Sequence, residues 1–540
     1  MKNNYIYIFL IGILVLSLPA CDFEKINTNE FEMTEEQGKL DGFILGGSFL
    51  AMQKAVTIVG TQADDKDIIN QYQISYNLSA DVWGGYFGQN NNWNAGNNNT
   101  TNFLIDAWIS ASYKNTYMAA FTPWKKIQEK SDNIAEYIAL SQVLKISAWS
   151  KTTDMFGPIP YKKAGEVLMV VPYDSQQDVY TSFFEDLEKA INVLTEKADQ
   201  GVKILPRFDA VYAGNTTQWV KYANSLMLRL AMRIRYADPE LAKKYAEMAV
   251  SHPIGVMVNA ADEAKMGDGA GYSFVNNIET LANQYAECRM SSSMFSYLLG
   301  YQDPRLSAYF KPSENDKNNG DKNYGVLAFD KKLYQGIPTG HVDDNNDIYK
   351  TFSRPNIERA TPTYWMRASE VYFLRAEGAL SGWNMGGDVL SLYENGISLS
   401  FEENGIEASK VDSYINSGNE PINYSINAEG YNYNAAAPTS ATVALNGDKE
   451  AKLEKIMIQK WIAMYPNGQE AWSEWRRTGY PKLHRVIKDM GNLGVNGVRR
   501  MNYPASAYQS AEDKLNIQEA LKMLGGEDRP STKLWWDAKK

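Results

Sequence analysis

The chain has 540 residues, enough to bury a large core, and its 54 basic against 64 acidic side chains leave a net charge of −10. The charges are interspersed without long runs of one sign, which argues against nucleic acid or an anionic membrane face as the main partner. Aromatics make up 12% of the residues, including 13 Trp and 34 Tyr. That is more than a core of this size needs, so some are expected to face a ligand or a partner.

Residues 1–20 read as a signal peptide. Lys2 gives a short positive start, and Tyr5 to Leu18 form an apolar run shorter than the roughly 20 residues a spanning helix requires. The run ends in Leu18-Pro19-Ala20-Cys21, which resembles a lipobox, with Cys21 as the acylated first residue of the mature chain. Residues 21–38 are polar and acidic, as expected of a lipidated, flexible tether. Cys288 is the other cysteine; with Cys21 acylated, no disulfide forms within the chain, and Cys288 is expected to be a small buried hydrophobe.

Residues 39–540 read as one helical body. An apolar pattern from Leu40 to about Ala55 suggests a helix, and Asp81 to Asn102 follow as an aromatic, amide-rich loop. In that loop Trp83, Tyr86, Phe87 and Trp93 offer flat apolar faces, Asn92 and Asn94 offer hydrogen bonds, and glycines interrupt regular structure. An uncharged, polar, flat-faced ligand such as a sugar ring suits such a loop. The alternative is a solvated loop whose aromatics fold back onto the core. Phe103 to Lys130 reads as one or two helices, and Ile134 to Thr152, apolar on more than one side, as a helix lying between others.

Four helix pairs are expected from the 3-and-4 spacing of apolar residues. The first closes with a helix opened by Ser175-Gln-Gln-Asp178, which resembles a capping box. The second is capped by Thr216 and Thr217 and turns at Asp238-Pro239. The third runs from Tyr364 to Leu380 and from Val389 to Phe401. The fourth starts near Glu450 and turns at Pro466-Asn-Gly468. The pairs look like degenerate tetratricopeptide units at irregular spacing, interrupted by long insertions at 251–362 and 408–448. Long loops inside a helical protein are often functional, and Tyr272, ending Gly267-Asp-Gly-Ala-Gly-Tyr272, is a candidate ligand contact.

Catalytic constellations are missing from the sequence. His252, His341 and His484 are scattered outside any nucleophile or metal motif. Glu370 and Glu377 share a helix face and are expected to pack and hydrogen-bond. Arg476 and Arg477 are expected to form structural ion pairs, and Trp535-Trp536 to anchor the C-terminus. No cofactor is expected. Asp343, Asn345 and Asp347 begin like a calcium loop, but Ile348 and Arg354 stand where an EF-hand needs Gly and Glu, so a solvated acidic turn is the preferred reading.

Several segments in order resemble one family. They are Asp154-Met-Phe-Gly-Pro-Ile-Pro-Tyr161, the Trp219 to Arg235 helix, Asp303-Pro-Arg-Leu306, Arg367 to Glu377, Asn395-Gly-Ile-Ser-Leu-Ser400, Gln459-Lys-Trp461 and Trp475-Arg-Arg-Thr-Gly-Tyr-Pro481. Together they look like the SusD/RagB nutrient-binding outer-membrane lipoproteins, more narrowly the SusD-like 2 branch. The resemblance implies an all-α body of tetratricopeptide-like pairs with irregular loop insertions. It also implies a lipid-anchored lid at the cell surface that delivers oligosaccharide, or in some members peptide, to a SusC-like TonB-dependent transporter, and no enzymatic activity. A structural lid without ligand affinity of its own is a further alternative. Sugar binders of the family place Trp, Tyr and Asn or Arg on exposed loops, which favours Trp83, Tyr86, Asn92, Trp93 and Asn94 as ligand contacts, with Tyr272 a further candidate.

Overall fold

A computed structural model describes residues 43–267, 271–314, 327–342, 347–428 and 431–540. The signal peptide, Cys21 and the tether lie outside these residues, as do Asp343 and Asn345 of the candidate calcium loop.

Twelve helices carry most of the body: α1 (Phe43–Val56), α2 (Asp106–Tyr113), α3 (Ala119–Lys130), α4 (Ala135–Phe156), α5 (Gln176–Asp199), α6 (Thr216–Arg233), α7 (Pro239–Ser251), α8 (Ala368–Leu380), α9 (Val389–Glu403), α10 (Lys449–Ala463), α11 (Gly468–Thr478) and α12 (Ala511–Leu524), with a further helix at Ser292–Gly300 in the first insertion. Their starts follow local chemistry. The side chains of Ser175, Asp238, Asp388, Asp448 and Asn467 accept backbone N–H groups at the first turns of α5, α7, α9, α10 and α11, and such a cap stabilises a helix by about 1 kcal/mol. Two starts differ from expectation. Asn215, not Thr216 or Thr217, caps α6, accepting the Gln218 amide. Tyr364 lies in a strand, so the third pair begins at Ala368.

The four expected pairs are present as α4 with α5, α6 with α7, α8 with α9 and α10 followed by α11; α5 also packs on α6, and α8 packs on both α6 and α10. Trp149, Trp219, Trp365, Trp461, Trp472 and Trp536 are fully buried in the shared core. Where α4, α6, α8, α10 and α11 meet, the core is ionic rather than apolar. Arg229 holds Glu370 through Nε and Nη2 at 2.8 and 2.7 Å, and Arg477 holds Glu377 at 2.6 and 2.7 Å. Arg233 reaches Asp154, Glu470 and Glu474, and Lys460 lies 3.0 Å from Glu474. Surrounding cations hold the Glu474 and Glu377 carboxyls below their ordinary range despite burial.

Glu370, Glu377 and Arg477 are therefore structural, as expected. Arg476 makes no ion pair among the described residues: it donates to the Asp154 and Arg499 carbonyls and to Ser473 Oγ, and stacks on Trp472. Trp536 anchors the C-terminal segment, its Nε1 donating to Asp154 Oδ1 at 2.8 Å.

Among the described residues, ten short strands form five two-stranded antiparallel ribbons: β1 (Gly60–Thr61) with β4 (Phe274–Val275), β2 (Phe87–Gln89) with β5 (Cys288–Met290), β3 (Ala264–Met266) with β8 (Thr363–Met366), β6 (Leu327–Phe329) with β7 (Lys332–Tyr334), and β9 (Tyr424–Ala428) with β10 (Tyr431–Ala435). Three of them tie the 251–362 insertion to the rest of the body. Cys288 is buried in β5, accepts a hydrogen bond from Asn77 Nδ2 at 3.6 Å, and has its thiol pushed up to about 12 by burial.

A candidate ligand cleft between the amide loop and the strap after α11

The loop 81–102 is built from both ends. Its first turn, Ala80–Trp83, packs on α11, so closely that a Cβ at Gly468 would come within 2.3 Å of the Asp81 Cα. Only glycine fits there. Asp81 accepts from Asn77 and Tyr72, and burial still raises its carboxyl to about 7. The loop then enters β2, where Phe87 pairs with Met290 and Gln89 with Cys288, and Asn91 Nδ2 donates to Glu287 at 3.1 Å.

Two expected ligand residues are core residues. Tyr86 is fully buried, stacks on Trp461 with centroids 5.5 Å apart, and donates its hydroxyl to the Trp461 carbonyl at 2.6 Å. Trp83 is 7% exposed, packs 4.8 Å from the Trp472 ring, and donates Nε1 to the Asn99 carbonyl at 2.9 Å. A large aromatic buries 150–250 Å², and α10 and α11 present facing indoles. In Tyr86 that face leaves nothing for a ligand; in Trp83 it leaves one edge.

Asparagines brace the loop, two of them on its own backbone and one on the helical turn before it. Asn98 Nδ2 donates to the Trp93 carbonyl at 2.8 Å, Asn94 Nδ2 to the Asn97 carbonyl at 2.8 Å, and Asn99 Nδ2 to Ser79 Oγ at 2.9 Å. Asn94 and Ala95 take left-handed backbone conformations inside the Trp93–Gly96 turn. A turn without ladder partners leaves amide groups open, and short amide side chains close them locally. Asn94 is exposed and Asn92 and Trp93 are half-buried at this tip. Tyr272 is elsewhere: it stacks on Phe274, which pairs with Thr61 in the β1–β4 ribbon.

Opposite the loop runs residues 479–499, a strap leaving α11 at Gly479. Its backbone is pinned on both sides: Met490 N donates to the Thr101 carbonyl at 2.9 Å, Ile487 N to the Thr339 carbonyl at 2.9 Å, and His484 N to Ser293 Oγ at 2.9 Å. Between loop and strap lies a half-open cleft of about 490 Å³. Trp83, Gly85 and Asn102 line it from the loop, Trp475 from the last turn of α11, and Lys482, His484, Arg485, Val486 and Asn496 from the strap. Trp475 is half-buried. Arg499 sits over its ring, 5.2 Å from the centroid, while pairing with Asp537. Gly497, at φ +54°, lets the strap pass so closely that a Cβ would lie 3.1 Å from the indole.

Asn102 and Asp489 join the two walls, Asn102 Nδ2 donating to Asp489 Oδ1 at 2.9 Å. On the strap, His484 Nε2 donates to the Ala436 carbonyl at 3.2 Å, and Nδ1 meets Ser292 Oγ at 3.0 Å. The carbonyl assigns the ring proton to Nε2. Burial pushes His484 down to about 4, so the ring is neutral at neutral pH. A second, shallower and more polar groove of about 810 Å³ is lined by 436–447, α10 and Lys482, so Lys482 borders both.

Trp83 is thus the one predicted ligand residue on the cleft wall; Tyr86 is behind it, Asn92, Trp93 and Asn94 form the tip, and Tyr272 stands apart. Trp475 and the strap were not anticipated. The signal existed: Gly491-Asn-Leu-Gly-Val-Asn-Gly497 repeats the glycine and asparagine character of loop 81–102. Among the described residues no group of three His, Cys, Asp or Glu is placed to hold a metal ion, and no helix is long and apolar enough to cross a membrane.

A family model described as SusD-like, "Susd and RagB outer membrane lipoprotein", matches residues 25–537. Among solved structures, a chitin-binding SusD homolog from Flavobacterium johnsoniae is 36% identical with a TM-score of 0.83, covering 92% of this chain and 99% of that one. A SusD homolog from Bacteroides ovatus is 32% identical with a TM-score of 0.82, covering 92% and 100%, and one from Bacteroides thetaiotaomicron is 31% identical with a TM-score of 0.80, covering 92% and 99%. A search of curated proteins returns no match. With its helix pairs, its insertions and a match over nearly its whole length, this chain belongs to the SusD-like family of SusD and RagB outer-membrane lipoproteins.

Proposed function

We propose that this protein is a glycan-binding lipoprotein of the cell surface, anchored through Cys21, that presents oligosaccharide to a SusC-like TonB-dependent transporter and catalyses no reaction itself. The observation that carries the binding reading is the cleft. A half-open groove with the half-buried Trp475, the edge of Trp83 and polar groups on both walls suits a sugar, whose C–H face lies on an aromatic while its hydroxyls meet donors and acceptors. The 36% identical relative described as chitin-binding supports the ligand class; family membership supports the anchor and the transporter.

One aromatic platform and two or three hydrogen bonds, each netting roughly 0.5–1.5 kcal/mol, leave about 4–6 kcal/mol after ordering costs, or dissociation constants from about millimolar to tens of micromolar. A carrier that must release its cargo is served by such affinity.

Calorimetric titration tests this, using the full chain in a detergent without a sugar headgroup against chitin, plant, host and microbial oligosaccharides alongside mixed peptides. Saturable heat with one glycan class is the expected result. Heat with peptides and none with glycans would replace the reading by peptide capture, and silence with both would leave a lid without ligand affinity of its own.

A further inference from the structure

The charge of the cleft runs against that of the molecule. The chain carries −10, yet the cleft lining holds the cations Lys482, Arg485 and Arg499 against the single anion Asp489. The internal pairings decide which of these charges are available. Arg499 is bound to Asp537. Asp489 is engaged by Asn102 Nδ2 and, through Oδ2, by the Gly494 amide at 2.5 Å. His484 is neutral at neutral pH and adds no charge. Lys482 has only a long contact, 3.7 Å to Glu454, with its side chain 54% exposed. Arg485 is exposed, and no described residue pairs with its guanidinium.

A cation on the adjoining groove is held differently. On the adjoining groove, Lys455 is engaged by Thr442 Oγ1, the Ala444 carbonyl and Asn446 Oδ1. Arg485, and Lys482 with its one long contact, leave positive charge on the wall of a sugar-sized cleft where an anionic group of a ligand can meet it.

Resting on the glycan reading above, we infer that the cleft selects acidic oligosaccharides, with a carboxylate or sulfate of the ligand held between Arg485 and Lys482 while a sugar ring lies against Trp475. A guanidinium is suited to both groups, because its fork of N–H donors matches two oxygens at once. In a half-open cleft the contact is partly screened, so the gain over an uncharged counterpart is modest and dependent on salt.

The test compares matched ligands on the full chain in a detergent without a sugar headgroup: a neutral oligosaccharide, its uronate-bearing counterpart and its sulfated counterpart, at low and high ionic strength. The expected result is binding of at least one acidic ligand about tenfold tighter than the neutral one, with the advantage shrinking in high salt. The uronate and sulfate arms identify which group is recognised. Arg485→Gln removes the advantage, and Arg485→Lys keeps part of it; both are exposed replacements whose folding is checked by circular dichroism. Binding of neutral glycans with no preference for acidic ones overturns this inference and leaves the glycan reading standing. Silence with every glycan overturns both.

Discussion

Trp475 is the side chain whose loss is expected to weaken glycan binding most. It is the largest half-buried surface on the cleft wall, and Arg499 and Gly497 fix its ring. Trp475→Ala is expected to lower affinity at least tenfold in calorimetry, on the order of 1.4 kcal/mol, with unchanged helical circular dichroism. Trp93→Ala, at a tip outside the cleft lining, is expected to change affinity less; the reverse order would move the site to the tip. His484 makes a separate prediction. Its ring titrates near 6.5 in the unfolded chain and near 4 in the folded protein because of burial. Between these values the unfolded chain binds a proton that the folded protein does not, so stability falls as pH drops from 6.5 to 4. The contribution is roughly 3 kcal/mol, and His484→Gln is expected to flatten that part of the pH–stability curve. Asp81 and Glu403, both raised to about 7 by burial, act with the opposite sign over part of this range, so the difference between wild type and variant is the quantity to measure.

Among the elements, α11 does most to position the site. Its N-terminus receives the first turn of loop 81–102, its apolar side carries Trp472 against Trp83, its ionic side carries Glu470, Glu474 and Arg477 into the core, and its last turn delivers Trp475 to the cleft. Such a helix needs its buried charges matched. Glu377→Gln leaves Arg477 and Arg235 short of a carboxylate, and breaking a buried pair costs about 3–5 kcal/mol. Calorimetric scanning should show a clearly lowered melting temperature for this variant. An unchanged transition would mean that water or rearranged neighbours compensate. The existence of these elements was legible in sequence because apolar spacing and caps are local. The start of α8 was not: Tyr364 continues the apolar pattern, but pairing of β8 with β3 draws it into a strand.

At the scale of the whole molecule, the proposed function makes the anchor and the cleft separable. Replacing Cys21 by Ser is expected to move the protein from the membrane fraction to the soluble fraction, since stable attachment requires more than one acyl chain, while glycan affinity stays the same. Retention of the variant in the membrane through its partner would instead point to tight docking on the transporter.

The sequence by itself determined the helical body, its four pairs and the interrupted spacing, because helix periodicity and capping are properties of neighbours along the chain, and the family was legible from the resemblance of several segments in order. It also marked 81–102 as a special loop. Only the tertiary structure decided what that loop's residues do. Trp83 and Tyr86 have the composition of ligand contacts, but indoles on α10 and α11 cover them, and Asn98 and Asn99 turn inward to brace the part of the loop beyond β2. The cleft wall comes instead from Trp475 and the strap, far along the chain from the loop they face. Burial and facing partners are set by contacts between distant segments, and no local pattern records which face of an aromatic will be covered.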